Sequence, residues 1–180
     1  MGKRRVTLIV AAALALLPTL VFAGGPTPAP TWSTQVTKGR FVVLAAFNNE
    51  AVLDKETGLV WQLVAGDTDN NGTVNSSDKL SWFAAHSYCN NVEVGGRKGW
   101  RLPSIQEQAT LIDTTHSNPA LPTGHPFVGV GAGYWSASTL ASDPAVGVDM
   151  NFIDGNVNGA DKSLLGLVWC VRGGSSPDLL

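Results

Sequence analysis

The chain has 180 residues, with 12 Lys and Arg against 14 Asp and Glu and a formal net charge of −2. That length suits one domain with a real core. The lack of a basic excess argues against nucleic acid or an anionic membrane as a partner held by charge.

Residues 1–23 begin with Lys3, Arg4 and Arg5, run through VTLIVAAALALLPTLVF and reach Ala23. A basic start, an apolar stretch and a small terminal residue describe a secretory signal peptide cleaved after Ala23. The apolar run falls short of the about 20 residues that a spanning helix needs. Cleavage leaves about 157 residues, with nine Lys and Arg against 14 Asp and Glu and a charge near −5. The expected product is exported, whether periplasmic, secreted or held at the cell surface, and has no membrane span. Residues 24–39, GGPTPAPTWSTQVTKG, read as an extended Pro/Gly/Thr-rich linker. A folded domain over 40–174 and a tail at 175–180 follow.

In the domain, RFVVLAAF (40–47) before Asn48-Asn49 predicts a buried strand. Ala51–Asp54 and Leu59–Val64, joined by Lys55-Glu56-Thr57-Gly58, predict a hairpin with Trp61 in the core.

An oxygen-rich loop comes next. Counted from Asp67 as position 1, Asp69, Asn71, Thr73, Asn75 and Asp78 fall at positions 3, 5, 7, 9 and 12, with Gly72 at position 6. This is the ligand spacing of a calcium loop, in which alternate oxygens wrap a hard cation and glycine permits the sharp turn. The cofactor expected is therefore calcium. Asn71 and Asp78 depart from the commonest pattern, which has Asp at position 5 and the longer Glu at position 12. The other reading is an Asx-rich turn whose Asp78 caps the following helix. The loop is also similar to that of dockerins, but no second copy occurs in the chain.

Lys79–Asn91 predicts a helix, with Leu80, Phe83, Ala84, Ser87 and Tyr88 on one stripe and Trp82, Ala85 and Cys89 on the next. His86 lies among them without a companion ligand, so packing is its expected role. Ser104 and Glu107 have capping-box spacing and start a second helix near Ile105, running to about Asp113. Arg101 fixes the start of that helix. The stretch from Thr114 to Gly133 has no periodicity, and loops of that length are commonly functional or disordered. Its His116 and His125, with Tyr134 and Trp135 just beyond, are candidate ligand contacts. Strands are expected at Tyr134–Ser138, Ala145–Ile153 and Leu164–Arg172, with a turn at Asp154-Gly155.

An even pair of cysteines in an exported chain predicts a disulfide between Cys89 and Cys170. It would close a loop of about 80 residues and contribute on the order of 4 kcal/mol.

The series TGLVWQ (57–62), Tyr88-Cys89-Asn90, GWRLPSIQE (99–107), YWSAS (134–138), VDMNFIDG (148–155) and VWCVRGG (168–174) resembles the C-terminal domain of Legionella collagen-like protein. The resemblance spans roughly residues 50–174. It implies an α+β, C-type lectin-like mixed fold, with two short helices, several antiparallel strands and one disulfide that maps onto Cys89 and Cys170. It further implies binding or adhesion at a bacterial surface, toward a glycan or protein ligand that the sequence does not name. No Gly-X-Y repeat precedes the domain, and the Glu-Pro-Asn and Trp-Asn-Asp motifs of sugar-binding lectins are absent. The alternative is an enzyme related to the formylglycine-generating group, a relative in fold. That chemistry needs free cysteines, and no catalytic triad, zinc motif or phosphate loop is present. Asp149 and Asp154 are the carboxylates nearest to an acid/base pair, on a strand and its turn, where solvent-facing roles are the default. No catalytic residue is assigned.

Overall fold

The computed structural model describes residues 39–174. The signal peptide expected at 1–23, the linker up to residue 38 and the tail at 175–180 lie outside the described residues.

The fold is α+β. Strands β1 (Phe41–Val43), β2 (Ala51–Asp54), β3 (Val60–Gln62) and β7 (Val171–Arg172) form one sheet in the order β1-β2-β3-β7. Strands β4 (Tyr134–Thr139), β5 (Val146–Asn151) and β6 (Asn156–Asp161) form another. Neighbours pair antiparallel throughout. Helices α1 (Trp82–Asn91) and α2 (Ile105–Ala109) lie between the sheets in sequence. Among the described residues, no helix is long and apolar enough to cross a membrane.

The interior comprises two apolar clusters, and several extended segments face both. Leu167, Trp169 and Val171 enter one cluster, together with Val52, Trp61, Tyr134 and Phe152. Val168 and Cys170 enter the other, with Ala51, Ala85, Cys89, Trp100 and Trp135. Side chains alternate across an extended backbone, so a segment flanked by two cores is apolar at every position. This explains the uninterrupted LVWCV run at 167–171. Regular ladder pairing begins only at Val171, so the long strand expected at Leu164–Arg172 is reduced to single bridges at Gly166 and Leu167 followed by a two-residue strand. Gln62 takes over there: its side-chain oxygen accepts the Cys170 N–H at 2.8 Å, and its carbonyl accepts Trp169 Nε1 at 2.9 Å.

The hairpin expected from Ala51–Asp54 and Leu59–Val64 forms, its second strand being Val60–Gln62, with the Asp54 carboxylate organising its turn through the Glu56 N–H and the Thr57 hydroxyl. The same carboxylate is paired with buried Arg40, which also donates to the Thr110 carbonyl at 2.8 Å and ties this sheet to the end of α2. The strand expected across 40–47 is shorter and less buried than its composition suggested. Only Phe41–Val43 pair, at the sheet edge, and Ala45–Phe47 form a 3-10 turn.

Helix α1 begins at Trp82, three residues later than expected, because the Ser81 hydroxyl caps it by accepting the Ala84 N–H. Leu80 instead exchanges backbone hydrogen bonds with Gly166. The helix buries its Ala85–Cys89 stripe, whereas Phe83 on the other stripe is 65 % exposed. Helix α2 begins at Ile105, with both bonds of the Ser104–Glu107 capping box present. Arg101 has the structural role expected of it: its guanidinium donates to both Glu107 oxygens, at 2.6 and 2.7 Å, and to the Gly173 carbonyl. The 114–133 stretch has no regular element, yet it is packed. Ala120, Leu121 and Phe127 are buried, and the backbone of Val128 bonds to Leu63 and Ala65.

Candidate metal centre

The two ends of the loop that precedes α1 bring Asp67, Asp69 and Asp78 together. One carboxylate oxygen from each lies within 4.8 Å of the other two. Local backbone bonds impose this arrangement. Asp67 accepts the N–H groups of Asn71 and Gly72 at 3.1 and 2.9 Å, curling the chain around its carboxylate. Gly72 at φ +83° and Asn70 at φ +56° supply the left-handed turns that this curl requires.

Asp78 closes the loop. It is fully buried, and its Oδ1 accepts the Thr68 N–H at 2.8 Å, the Asp69 N–H at 3.3 Å and the Thr68 hydroxyl. Its Oδ2 accepts, among the described residues, only the Asn75 N–H, at 2.8 Å. Burial pushes the Asp78 pKa up, but these backbone donors outweigh it and hold the group below its ordinary value. Each carboxylate oxygen carries two lone-pair positions. Oδ1 is therefore saturated, while Oδ2 keeps one position, so Asp78 can offer a cation a single oxygen.

The other predicted ligands are engaged locally. Asn71 donates its side-chain amide to Asp69 Oδ2 at 2.7 Å and accepts the Thr73 N–H at 2.8 Å. Asn75 caps the 3-10 turn Ser76–Asp78, accepting the Ser77 N–H, and its amide donates to the Thr73 carbonyl. Asp78 thus caps the turn immediately before α1 and not α1 itself. Sequence reasoning passed over Ser77, whose hydroxyl donates to Asp69 at 3.3 Å, and the backbone of Thr68. The available signal was the Asn75-x-x-Asp78 spacing, which is that of a capping box.

The disulfide lies about two turns into α1. Cys89 and Cys170 are bonded, with Cα atoms 5.5 Å apart and a sequence separation of 81. Tyr88, beside Cys89, reaches back to the Asp67 carbonyl at 3.5 Å, so the loop is tied to the cross-linked helix.

The candidate ligand contacts do not form one site. Tyr134 and Trp135 are 0 % and 2 % exposed, so they cannot serve as the surface aromatics expected. Each lies on β4 between the two cores, with its polar atom bonded inside: Tyr134 to the Gly129 carbonyl and Trp135 to the Leu80 carbonyl. His116 bonds Asp113, Thr115 and Thr123 within its own loop. His125 stacks on Phe127, with its Nδ1 buried and, among the described residues, without a hydrogen-bond partner, and burial lowers its pKa. His86 packs against Trp82, with ring centroids 4.1 Å apart, in keeping with a packing role. Asp149 and Asp154 form no acid/base pair: Asp154 holds Asn156 in the β5–β6 turn, and Asp149 pairs with Asn158.

No curated protein matches the chain in sequence. Residues 50–172 match the Lcl C-terminal domain. This span takes in the hairpin, the acidic loop, the cross-linked helix and the Trp-Arg-Leu-Pro segment, and the chain belongs to the Lcl C-terminal domain family.

Proposed function

We propose that this domain is an exported binding module, and that its 67–78 loop takes one calcium ion as a structural brace. The observation that carries the calcium reading is the convergence of the Asp67, Asp69 and Asp78 oxygens within 4.8 Å. The donor set is chemically suited to a hard cation, being all oxygen. Calcium would be held by Asp67, Asp69 and one oxygen of Asp78, with the Asn71, Thr73 and Asn75 oxygens recruited by rotation of exposed groups. The ion would offset the mutual repulsion of three neighbouring carboxylates and stiffen the path from Asp67 to Tyr88.

Export is supported by the basic and apolar N-terminal sequence and by the Cys89–Cys170 bond, since disulfides persist outside the reducing cytosol. A binding role, with adhesion to a surface glycan or protein as its setting, is supported by membership of a family of unknown ligand. The enzyme alternative is disfavoured because the cysteines that formylglycine-type chemistry would use are joined to each other.

The test is calorimetric titration of calcium into chelator-treated protein, followed by thermal melts. One equivalent should bind and raise the melting temperature, because an ion held only by the folded state adds about 2.7 kcal/mol at a hundredfold excess over Kd. Absence of both heat and shift would sink the calcium reading.

A further inference from the structure

Away from the acidic loop, a cavity of about 220 Å³ opens beside the second sheet, with Lys79, Gly133, Asp149, Leu164, Leu165 and Leu167 in its wall. We propose that this cavity binds a free α-amino acid with an apolar side chain. The inference rests on the reading of the domain as a binding module and supplies the ligand class; it does not depend on calcium.

Asp149 supplies the first half of the recognition. Its carboxylate is half-buried on β5, and among the described residues it forms no ion pair. Burial raises its pKa and the Asn158 hydrogen bond only partly offsets this, so the group is a carboxylate short of positive charge. An ammonium group is the complement that a partly desolvated carboxylate binds most strongly. Gly133 lets this carboxylate pack close to the cavity wall, since a Cβ there would lie only 2.8 Å from Asp149 Oδ1.

Lys79 supplies the second half. Lys79 lines the same cavity, and among the described residues its ammonium pairs with no carboxylate, Asp149 included. One cavity therefore offers an anion and a cation that do not neutralise each other, and a ligand carrying both charges satisfies both. Leu164 and Leu165, 56 % and 63 % exposed, give the wall an apolar surface that a solvated turn does not need. The volume is below the about 300–1,000 Å³ of pockets that take drug-sized molecules, which restricts the ligand to one small unit. A zwitterion with one aliphatic side chain meets all of these conditions.

The experiment titrates L-leucine into the purified chain, with isoamylamine and 4-methylpentanoate as probes that each carry one of its two charges, and titrates calcium into the same preparation. Leucine should bind at one site, with each single-charge probe weaker by about tenfold or more, the effect of losing a charge-assisted hydrogen bond. Asp149→Asn should weaken leucine by about the same factor and leave 4-methylpentanoate bound as well as before or better, an outcome that misfolding cannot produce. Lys79→Ala, at an exposed position, should remove the preference for leucine over isoamylamine. Equal leucine affinity in the parent and Asp149→Asn overturns the proposal. So does absence of leucine binding by protein that still takes up calcium, which leaves the calcium reading intact; silence in both titrations overturns both.

Discussion

Asp78 accepts the backbone N–H of Thr68 at 2.8 Å, joining the two ends of the acidic loop by a bond that involves no metal. The same residue is thus both the closing ligand in the calcium proposal and part of the metal-free architecture. Asp78→Ala should destabilise the domain with calcium or with chelator, by about 1–3 kcal/mol for each stranded buried donor. Asp69→Asn, at an exposed position, should leave the chelator melt nearly unchanged and abolish the calcium-dependent rise. Paired melts of the two variants separate the roles, and a calcium-dependent rise that survives Asp69→Asn would count against the ion site.

The Cys89–Cys170 bond joins α1 to the segment shared by both cores. Cys89→Ser, or reduction of the parent, should cost about 2–5 kcal/mol in denaturant unfolding. An unchanged midpoint under oxidising conditions would contradict the bond.

Glu107 gives the domain an acid-sensitive joint. Burial raises its pKa, but the Arg101 guanidinium and the Ser104 N–H outweigh this and hold it below the ordinary 4.5. A carboxyl with a depressed folded-state pKa contributes stability that is present above its unfolded value and lost as pH falls through the folded one. The melting temperature of the parent should therefore drop between about pH 5 and about pH 3. In Glu107→Gln that drop should be smaller, against a lower starting value. Identical acid profiles for the two proteins would show that this pair carries none of the effect.

Gly95 sits at φ +59° with its N–H donated to Glu50 at 2.7 Å, and a Cβ there would collide with the Phe47 backbone. Gly95→Ala should cost about 2 kcal/mol or more, from the left-handed backbone and the displaced turn together. Gly96, also left-handed but with open space around it, should lose only the backbone part. Chemical denaturation of both variants checks the ordering.

Local rules made much of this domain legible. The Ser104–Glu107 box marked the start of α2 because its two bonds involve residues three apart, and the Lys55–Gly58 turn marked the hairpin for the same reason. The three carboxylates that converge were set out by loop spacing alone. What escaped depends on distant partners. Leu80 has a helical neighbourhood but pairs with Gly166, and this holds α1 back to Trp82. Strand β6, Asn-Val-Asn-Gly-Ala-Asp, has neither strand propensity nor a buried face, and exists because all six of its residues pair with β5. Tyr134 and Trp135 were candidate ligand contacts for their place just beyond the 114–133 stretch; adjacent residues on a strand face opposite sides, and a fold with a core on each side buries both.

The run from Leu167 to Val171 has a consequence for the order of events during synthesis. It feeds both interior clusters and carries one end of the cross-link, so neither cluster can close around a shorter chain. A chain that stops before Leu167 holds Trp61, Tyr134 and Trp135 without the residues of this run that complete their clusters. Such a chain has to be kept from collapse or aggregation until nearly the whole domain has been made, and only then can it fold in one cooperative step.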